Sequence, residues 1–348
     1  MAFLKRKKDL TKDIEEKSTS RKLKSLKKPT GKKKEEKKPW GKKERYLVLF
    51  VFVITVGTSA VLGLSSRQWK LPGIPRVAFP SFKTKRIVIE VDEKTREERE
   101  KEETVASSFR EKTRNLSGIY GFYVVKLGSG SSYGYLEREV FEPASLNKLP
   151  VMVAMYMQAE QGNLDLETNY NLKQSDKVVG SGSLSSKPSG YELTYRDLVR
   201  LMGKESDNTS FNIARNILGK RKIVETIAAA KMVDTVIFDE EQKTTPYDIG
   251  TFFQNLWRGN LVSEKSRDEL LGFLTDTNYE AWLAEGIPDG VEVAHKFGRE
   301  QHVVNDAGIV FADEAFVLVI MSKGVVEREA DAIFPELARI VYEIEMSE

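Results

Sequence analysis

The sequence predicts an α/β fold of the α+β type: an antiparallel sheet flanked by helices, an all-helical subdomain beside it, and one transmembrane helix in front. Three features lead to this reading. Strand-like segments stand at both ends of residues 118–348, helix-like segments fill the interval between them, and a charge-free apolar run precedes both. At 348 residues the chain is long enough to bury one large core or two ordinary ones. It has no cysteine and two histidines, His295 and His302, which excludes disulfides, thiol catalysis and Cys/His zinc sites. Chemistry is left to hydroxyl, carboxylate, amine and amide groups, with no cofactor expected.

The net charge of +3 conceals two opposite parts. Residues 1–45 hold 19 Lys/Arg against 7 Asp/Glu, leaving 36 against 45 for the rest of the chain. A tail so rich in lysine cannot bury enough apolar surface to order itself and reads as a disordered cytoplasmic segment. Anionic lipid suits it better as a partner than nucleic acid, for which the sequence shows no need.

Residues 46–64, YLVLFVFVITVGTSAVLGL, carry no charge. As a helix this run is roughly 28 Å long, close to the hydrocarbon thickness of a bilayer. A cleaved signal peptide is the other reading, but the 45 residues before the run are too many for such a leader. Lys and Arg crowd the N-terminal flank, which keeps that side cytoplasmic and places the remainder outside, as in a single-pass membrane protein. Pro72, Pro75 and Pro80 mark residues 65–91 as an extended spacer.

The segment 92–348 reads as the catalytic domain, expected to be monomeric. Residues 92–115 are charged helix formers, either a solvated stalk or a first domain helix that packs through Val105, Phe109 and Leu116. GIYGFYVVKL, residues 118–127, is aromatic and β-branched enough for a strand, and the turn at 128–132 leads to a second strand at 133–136. Helical periodicity follows at 144–160, 193–203, 209–218, 223–232, 246–258 and 263–274. Strands return at 292–296, 305–311 and 315–322, and an amphipathic helix with Ile333, Phe334, Leu337, Ile340, Val341 and Ile344 closes the chain.

Three short motifs carry the chemistry. SLNK, Ser145 to Lys148, opens a helix and puts a hydroxyl and an amine on one face, within proton-exchange reach. Alone it is weak: SLKK at Ser25 matches the same pattern in the tail. SDN, Ser206 to Asn208, also suits a helix start, where Ser, Asp and Asn cap free backbone N–H groups. HKFG, His295 to Gly298, ends a strand ahead of NDAGIVF, and taken by itself its lysine is an exposed strand residue.

In that chain order the three motifs resemble the penicillin-recognising serine enzymes. The surrounding text, EPASLNKLPVMVAMY, the GSGSL stretch ending at Leu184, ESDNTSFN, KTTPYDIG, EGIPDGVEVAHKFG and NDAGIVF, resembles the class A β-lactamase family from about Ser117 to the end. The resemblance implies a β-lactamase/transpeptidase-like fold. It also implies that Ser145 is the nucleophile of an acyl-enzyme, Lys148 its base, and Ser206 the relay that returns a proton to the leaving nitrogen. Asn208 would orient the substrate amide and Lys148, while Lys296, beside Gly298, would hold the substrate carboxylate. The backbone N–H groups of Ser145 and Arg299 would form the oxyanion hole. Asp207 reads as structural, satisfying loop backbone donors.

Two departures stand out. The family carries a loop with a glutamate and an asparagine that position the deacylating water, and residues 232–248 contain no such ExxxN pattern. Asp239, Glu240 and Glu241 are the nearby carboxylates and read as solvated turn charges. Phe297 stands where the family has a hydroxyl residue, and an aromatic ring cannot replace that hydrogen bond. His295 reads as an exposed strand residue, and His302 has no expected role.

Three functions follow. The first is a membrane-anchored β-lactamase-type hydrolase that opens β-lactam amides. The second applies the same acylation to peptidoglycan stem peptides, as a D-alanyl-D-alanine carboxypeptidase or transpeptidase. The third is a non-catalytic module that binds wall peptide, against which the retention of Ser145, Lys148, Ser206, Asn208 and Lys296 argues.

Overall fold

The computed structural model describes residues 41–65, 93–238 and 241–347. The expectations for the basic tail up to residue 40, for the spacer, and for Asp239 and Glu240 lie outside the described residues. The chain divides into two compact units, Met1–Ile87 and Val88–Glu348.

In the first unit a helix, α1, runs Lys42–Ser65. Its apolar side chains lie exposed on every side, among them Leu49, Phe50, Phe52 and Ile54. Among the described residues no helix is long and apolar enough to cross a membrane. The run 46–64 is helical, as expected, but its crossing of a membrane is not shown among the described residues.

The second unit opens with α2, Glu93–Thr113. Val105 and Phe109 are buried on its inner stripe, so it packs on the domain and is not a solvated stalk. The strands are β1 Ile119–Lys126, β2 Ser132–Tyr135, β5 Val293–Glu300, β6 Val303–Val310 and β7 Phe316–Lys323. They form one antiparallel sheet in the order β2-β1-β7-β6-β5, with Val124 opposite Leu318 and Lys296 opposite Ala307. Strands from both ends of the chain thus pair across the helical insert. Alternation along β1 divides the interior in two. Phe122 and Val124 join Leu318 and Ile320 under α2 and the C-terminal helix α8, Glu327–Glu345, while Tyr123 and Val125 join Val317 and Val319 under the insert.

That insert contains α3 Lys148–Glu160, α4 Tyr195–Lys204, α5 Asn208–Ala229, α6 Pro246–Trp257 and α7 Glu264–Gly272. The two helices expected at 209–218 and 223–232 run on as α5, broken at Gly219, whose φ of 70° and ψ of 159° are not helical. A two-stranded ribbon, β3 Asn169–Asn171 with β4 Glu192–Thr194, was not foreseen, because strands of three residues leave no period to read. Thr194 caps α4 through Asp197 N, and Thr245 caps α6 ahead of Pro246, so local chemistry sets both helix starts.

Candidate active site

Ser145 lies in a single 3-10 turn, Ala144–Asn147, that runs directly into α3 at Lys148. The α-helix thus begins one turn later than the sequence suggests. In a 3-10 turn side chains three residues apart eclipse, which is why the Lys148 Nζ sits 2.7 Å from the Ser145 Oγ. The same nitrogen lies 3.3 Å from the Ser206 Oγ and 2.9 Å from the Asn208 Oδ1. Residues 58 and 60 positions away in sequence therefore converge on one amine.

Asp207 makes that convergence rigid. It caps α5 by accepting from Ser210 N at 2.7 Å, and its other oxygen accepts from Leu184 N at 2.8 Å. Gly182 lies so close that a Cβ there would come within 2.0 Å of the Asp207 carboxylate, which explains the glycine of the GSGSL stretch. Both hydroxyl residues of the centre sit in strained surroundings. Ala144, just before Ser145, has φ 46°, and Ser206 itself has φ 55°, a left-handed conformation that costs a non-glycine residue about 1 kcal/mol or more.

The amine is buried, with 2% of Lys148 exposed. Burial lowers its pKa to about 8, against the opposing pull of Asp207 and Glu300. Lys296 on β5 is fully buried, and burial together with the nearby Lys148 holds its ammonium well below the ordinary lysine range. Its Nζ donates to the Phe297 carbonyl at 2.7 Å and lies 3.9 Å from the Phe297 ring centre. The lysine of HKFG, a surface residue when its motif is read alone, is thus interior and close enough to Lys148 to feel its charge, but among the described residues it makes no hydrogen bond to Ser145, Lys148, Ser206 or Asn208. Phe297 leans on Tyr279 and Trp282, with ring centres 5.2 and 6.4 Å away.

Strand β5 is the sheet edge beside the Ser145 turn. A Cβ at Gly298 would stand 3.0 Å from Ser145 N and 3.2 Å from Pro143 O, so glycine permits the strand to approach this closely. His295 N donates outward, to Leu274 O at 2.8 Å. Because strand amides alternate, the N–H of Arg299, four residues on, points to the same open edge as that of His295. The Arg299 side chain faces elsewhere, held in two hydrogen bonds to Asp331 at 2.8 and 3.0 Å. Arg299 can therefore contribute only its backbone to the cleft.

A cavity of about 270 Å³ opens above Ser145, lined by Lys148, Asn208, Arg215, Gln242 and Glu300 among others. Sequence reasoning missed Arg215, Gln242 and Glu300, and missed Asn147, whose Nδ2 donates to the Gln242 Oε1 at 2.7 Å. The signal for one group was present: Asn208, Phe211, Asn212 and Arg215 are spaced for a single face of α5. Glu241 is exposed, and the shortened loop presents the neutral Gln242 to the cavity. Among the described residues no cluster of His, Asp and Glu is placed to hold a metal ion.

His295 is not exposed, as the sequence suggested, but wholly buried. Its side chain projects from β5 opposite to Lys296, and its Nδ1 lies 2.8 Å from Asp306 while its Nε2 lies 3.2 Å from Glu280. Burial opposes its charge, but the two carboxylates outweigh it and push its pKa up to about 9. That raised value means the protonated ring stabilises the fold fully below pH 6.5, and the contribution is lost as pH rises through about 9. His295→Gln is expected to cost about 3 kcal/mol more at pH 6 than at pH 10. Thermal melts at the two pH values check this, and equal losses would contradict it. His302 ends in the turn before β6, where its Nδ1 lies 3.0 Å from the Val325 carbonyl, remote from the cleft residues.

The family described as the beta-lactamase enzyme family matches residues 103–344 of this chain. Beta-lactamase L2 of Stenotrophomonas maltophilia is 23% identical over 223 residues, 60% of this chain and 73% of that protein. Beta-lactamase OXY-1 of Klebsiella oxytoca is 24% identical over 226 residues, 60% of this chain and 77% of that protein. Among solved structures, a β-lactamase from Sphaerobacter thermophilus superposes with a TM-score of 0.66 at 25% identity, over 70% of this chain and 96% of its own. PBP-A superposes with a TM-score of 0.64, also at 25% identity, over 72% and 95% of the two chains. The chain belongs to the beta-lactamase enzyme family and is a serine hydrolase of that type.

Proposed function

We propose that Ser145 opens β-lactam amides, that the resulting acyl-enzyme is released slowly, and that the enzyme works outside the cell on a membrane anchor. One observation carries the reading: the Ser145 hydroxyl lies 2.7 Å from an amine whose pKa burial lowers to about 8. Lys148 Nζ takes the Ser145 proton as Oγ bonds to the lactam carbon. The C–N bond then breaks, and Ser206 passes a proton to the departing nitrogen. Asn208 orients the acyl amide, Lys296 attracts the substrate carboxylate, and the N–H groups of Ser145 and Arg299 receive the oxyanion. A point mutant of PBP-A, one of the structural neighbours, has been captured as an acyl-enzyme with penicillin G.

Slow release follows from Gln242. A carboxamide has no basic electron pair and cannot take a proton from water. The same feature favours a second reading, in which the acyl group comes from a stem peptide ending in D-alanyl-D-alanine. A fluorescent penicillin is expected to label the full chain and remain through denaturing electrophoresis, with little turnover of a chromogenic cephalosporin. Rapid turnover would overturn slow release, and no labelling at any concentration would overturn the reading of Ser145.

Gly298→Val is expected to slow that labelling about 100- to 1,000-fold, because the added side chain pushes β5 from the Ser145 turn and spoils the oxyanion donors. Unchanged labelling kinetics would show that the turn and strand tolerate separation. The anchor rests on the uncharged run 46–64 and on apolar side chains exposed all round α1. Protease added to intact cells is expected to release the catalytic domain, and protection of that domain would reverse the orientation.

A further inference from the structure

The cavity above Ser145 does not end at Asn208. A second cavity, of about 320 Å³, adjoins it, and the two share Asn212 and Arg215. Arg215 is half-buried with its guanidinium between two rings, 5.2 Å from the centre of Phe211 and 4.8 Å from that of Phe238. Rings stacked on a guanidinium fix its plane and leave its N–H edge open for a planar anion. Among the described residues it has no carboxylate partner, whereas other half-buried arginines, Arg196 and Arg267, are paired with Glu or Asp. Glu300 lines the first cavity, and in the second Asn212 and Asn216 stand beside Arg215.

Position on α5 gives the distance. Arg215 follows Asn208 by two turns on the same face, about 10 Å along the helix axis. Ser206 and Lys296 serve the leaving-group side of the scissile bond, so the chain running from Ser145 past Asn208 toward Arg215 is the acyl side. We infer that Arg215, with Asn212 beside it, forms an anion-binding subsite, and that the natural acyl donor carries a carboxylate several bonds beyond its reacting carbonyl. The inference rests on the proposed acylation of Ser145 and narrows its substrate class to acidic acyl donors, such as a peptide with an acidic residue on the acyl side.

Two cephalosporins that differ only in the acyl chain on the ring amine test this, one glutaryl, ending in a carboxylate, the other pentanoyl, ending in a methyl group. Second-order acylation constants are measured on the full chain by intact-mass spectrometry. The glutaryl compound is expected to react about 10-fold faster or more, the scale of a charged hydrogen bond in a desolvated site. Arg215→Gln is expected to bring that ratio close to one and Arg215→Lys to keep part of it. Free glutarate, but not pentanoate, is expected to slow acylation of the unaltered chain by the pentanoyl compound, a readout that needs no variant. Equal rates for the two compounds, or a ratio unmoved by Arg215→Gln, would overturn the subsite while leaving Ser145 acylation intact. If neither compound acylates the unaltered chain, the reading of Ser145 fails and the subsite fails with it.

Discussion

A Ser145→Ala chain is expected to take up no acyl group from a labelled penicillin, at any concentration and any pH. The expectation is absolute because the arrangement offers no substitute. Ser206 is the other hydroxyl near the same amine, at 3.3 Å, but it is 1% exposed and held in a left-handed backbone conformation behind the cleft. The substitution removes one oxygen from a half-buried turn residue, so the fold should persist with a melting temperature within a few degrees of the parent. Residual labelling of the variant would place the nucleophile elsewhere.

Lys148→Met is expected to lower the acylation rate by about 100- to 10,000-fold, the usual contribution of a positioned general base. Its effect on pH dependence is the more discriminating result. The amine accepts a proton only when uncharged, so in the unaltered chain acylation should climb as pH passes about 8 and level off above it. The methionine variant should lose that limb. Lys148→Arg should not restore the rate, because a guanidinium stays protonated throughout. Stability should move the other way: an amine held far below its solution pKa is costly to bury charged, and methionine of similar volume removes that cost. A variant that loses both rate and tens of degrees of melting temperature would mark Lys148 as a structural residue. Rate measurements from pH 6 to 10 and thermal melts on one sample separate the two cases.

Much of the fold was legible because its signals are local. The aromatic and β-branched run at 118–127, the spacing of Leu149, Val153 and Met157, and the amphipathic stripe from Ile333 to Ile344 all state their period within one element. Pairing of terminal strands around the helical insert then follows from the order of elements. The break in α5 was legible too: the helices expected over 209–218 and 223–232 meet at Gly219, whose backbone leaves the helical region. The 3-10 turn at Ser145 was not legible, because its i,i+3 spacing differs too little from that of an α-helix for a pattern to distinguish them.

In the site, the motif residues named themselves by type and order. The residues that act from outside a motif did not. Gln242 meets Asn147 across 95 positions, and His295 meets Asp306 only because β5 and β6 pair in a particular register. Exposure was the other blind spot. Lys296 and His295 look like surface residues in a short polar strand end, yet both are wholly buried in the fold. Burial, in turn, is what shifts their proton affinities, so the electrostatics of the centre could not precede its packing.

In the proposed chemistry the Ser145 oxygen accepts the acyl group and Lys148 is its base. Peptide mapping by mass spectrometry, after brief exposure of the full chain to penicillin G at pH 7 and pH 9, is the decisive experiment. One penicilloyl adduct is expected, on the oxygen of Ser145, formed faster at pH 9. An adduct on any other residue, or the same rate at both pH values, would contradict it.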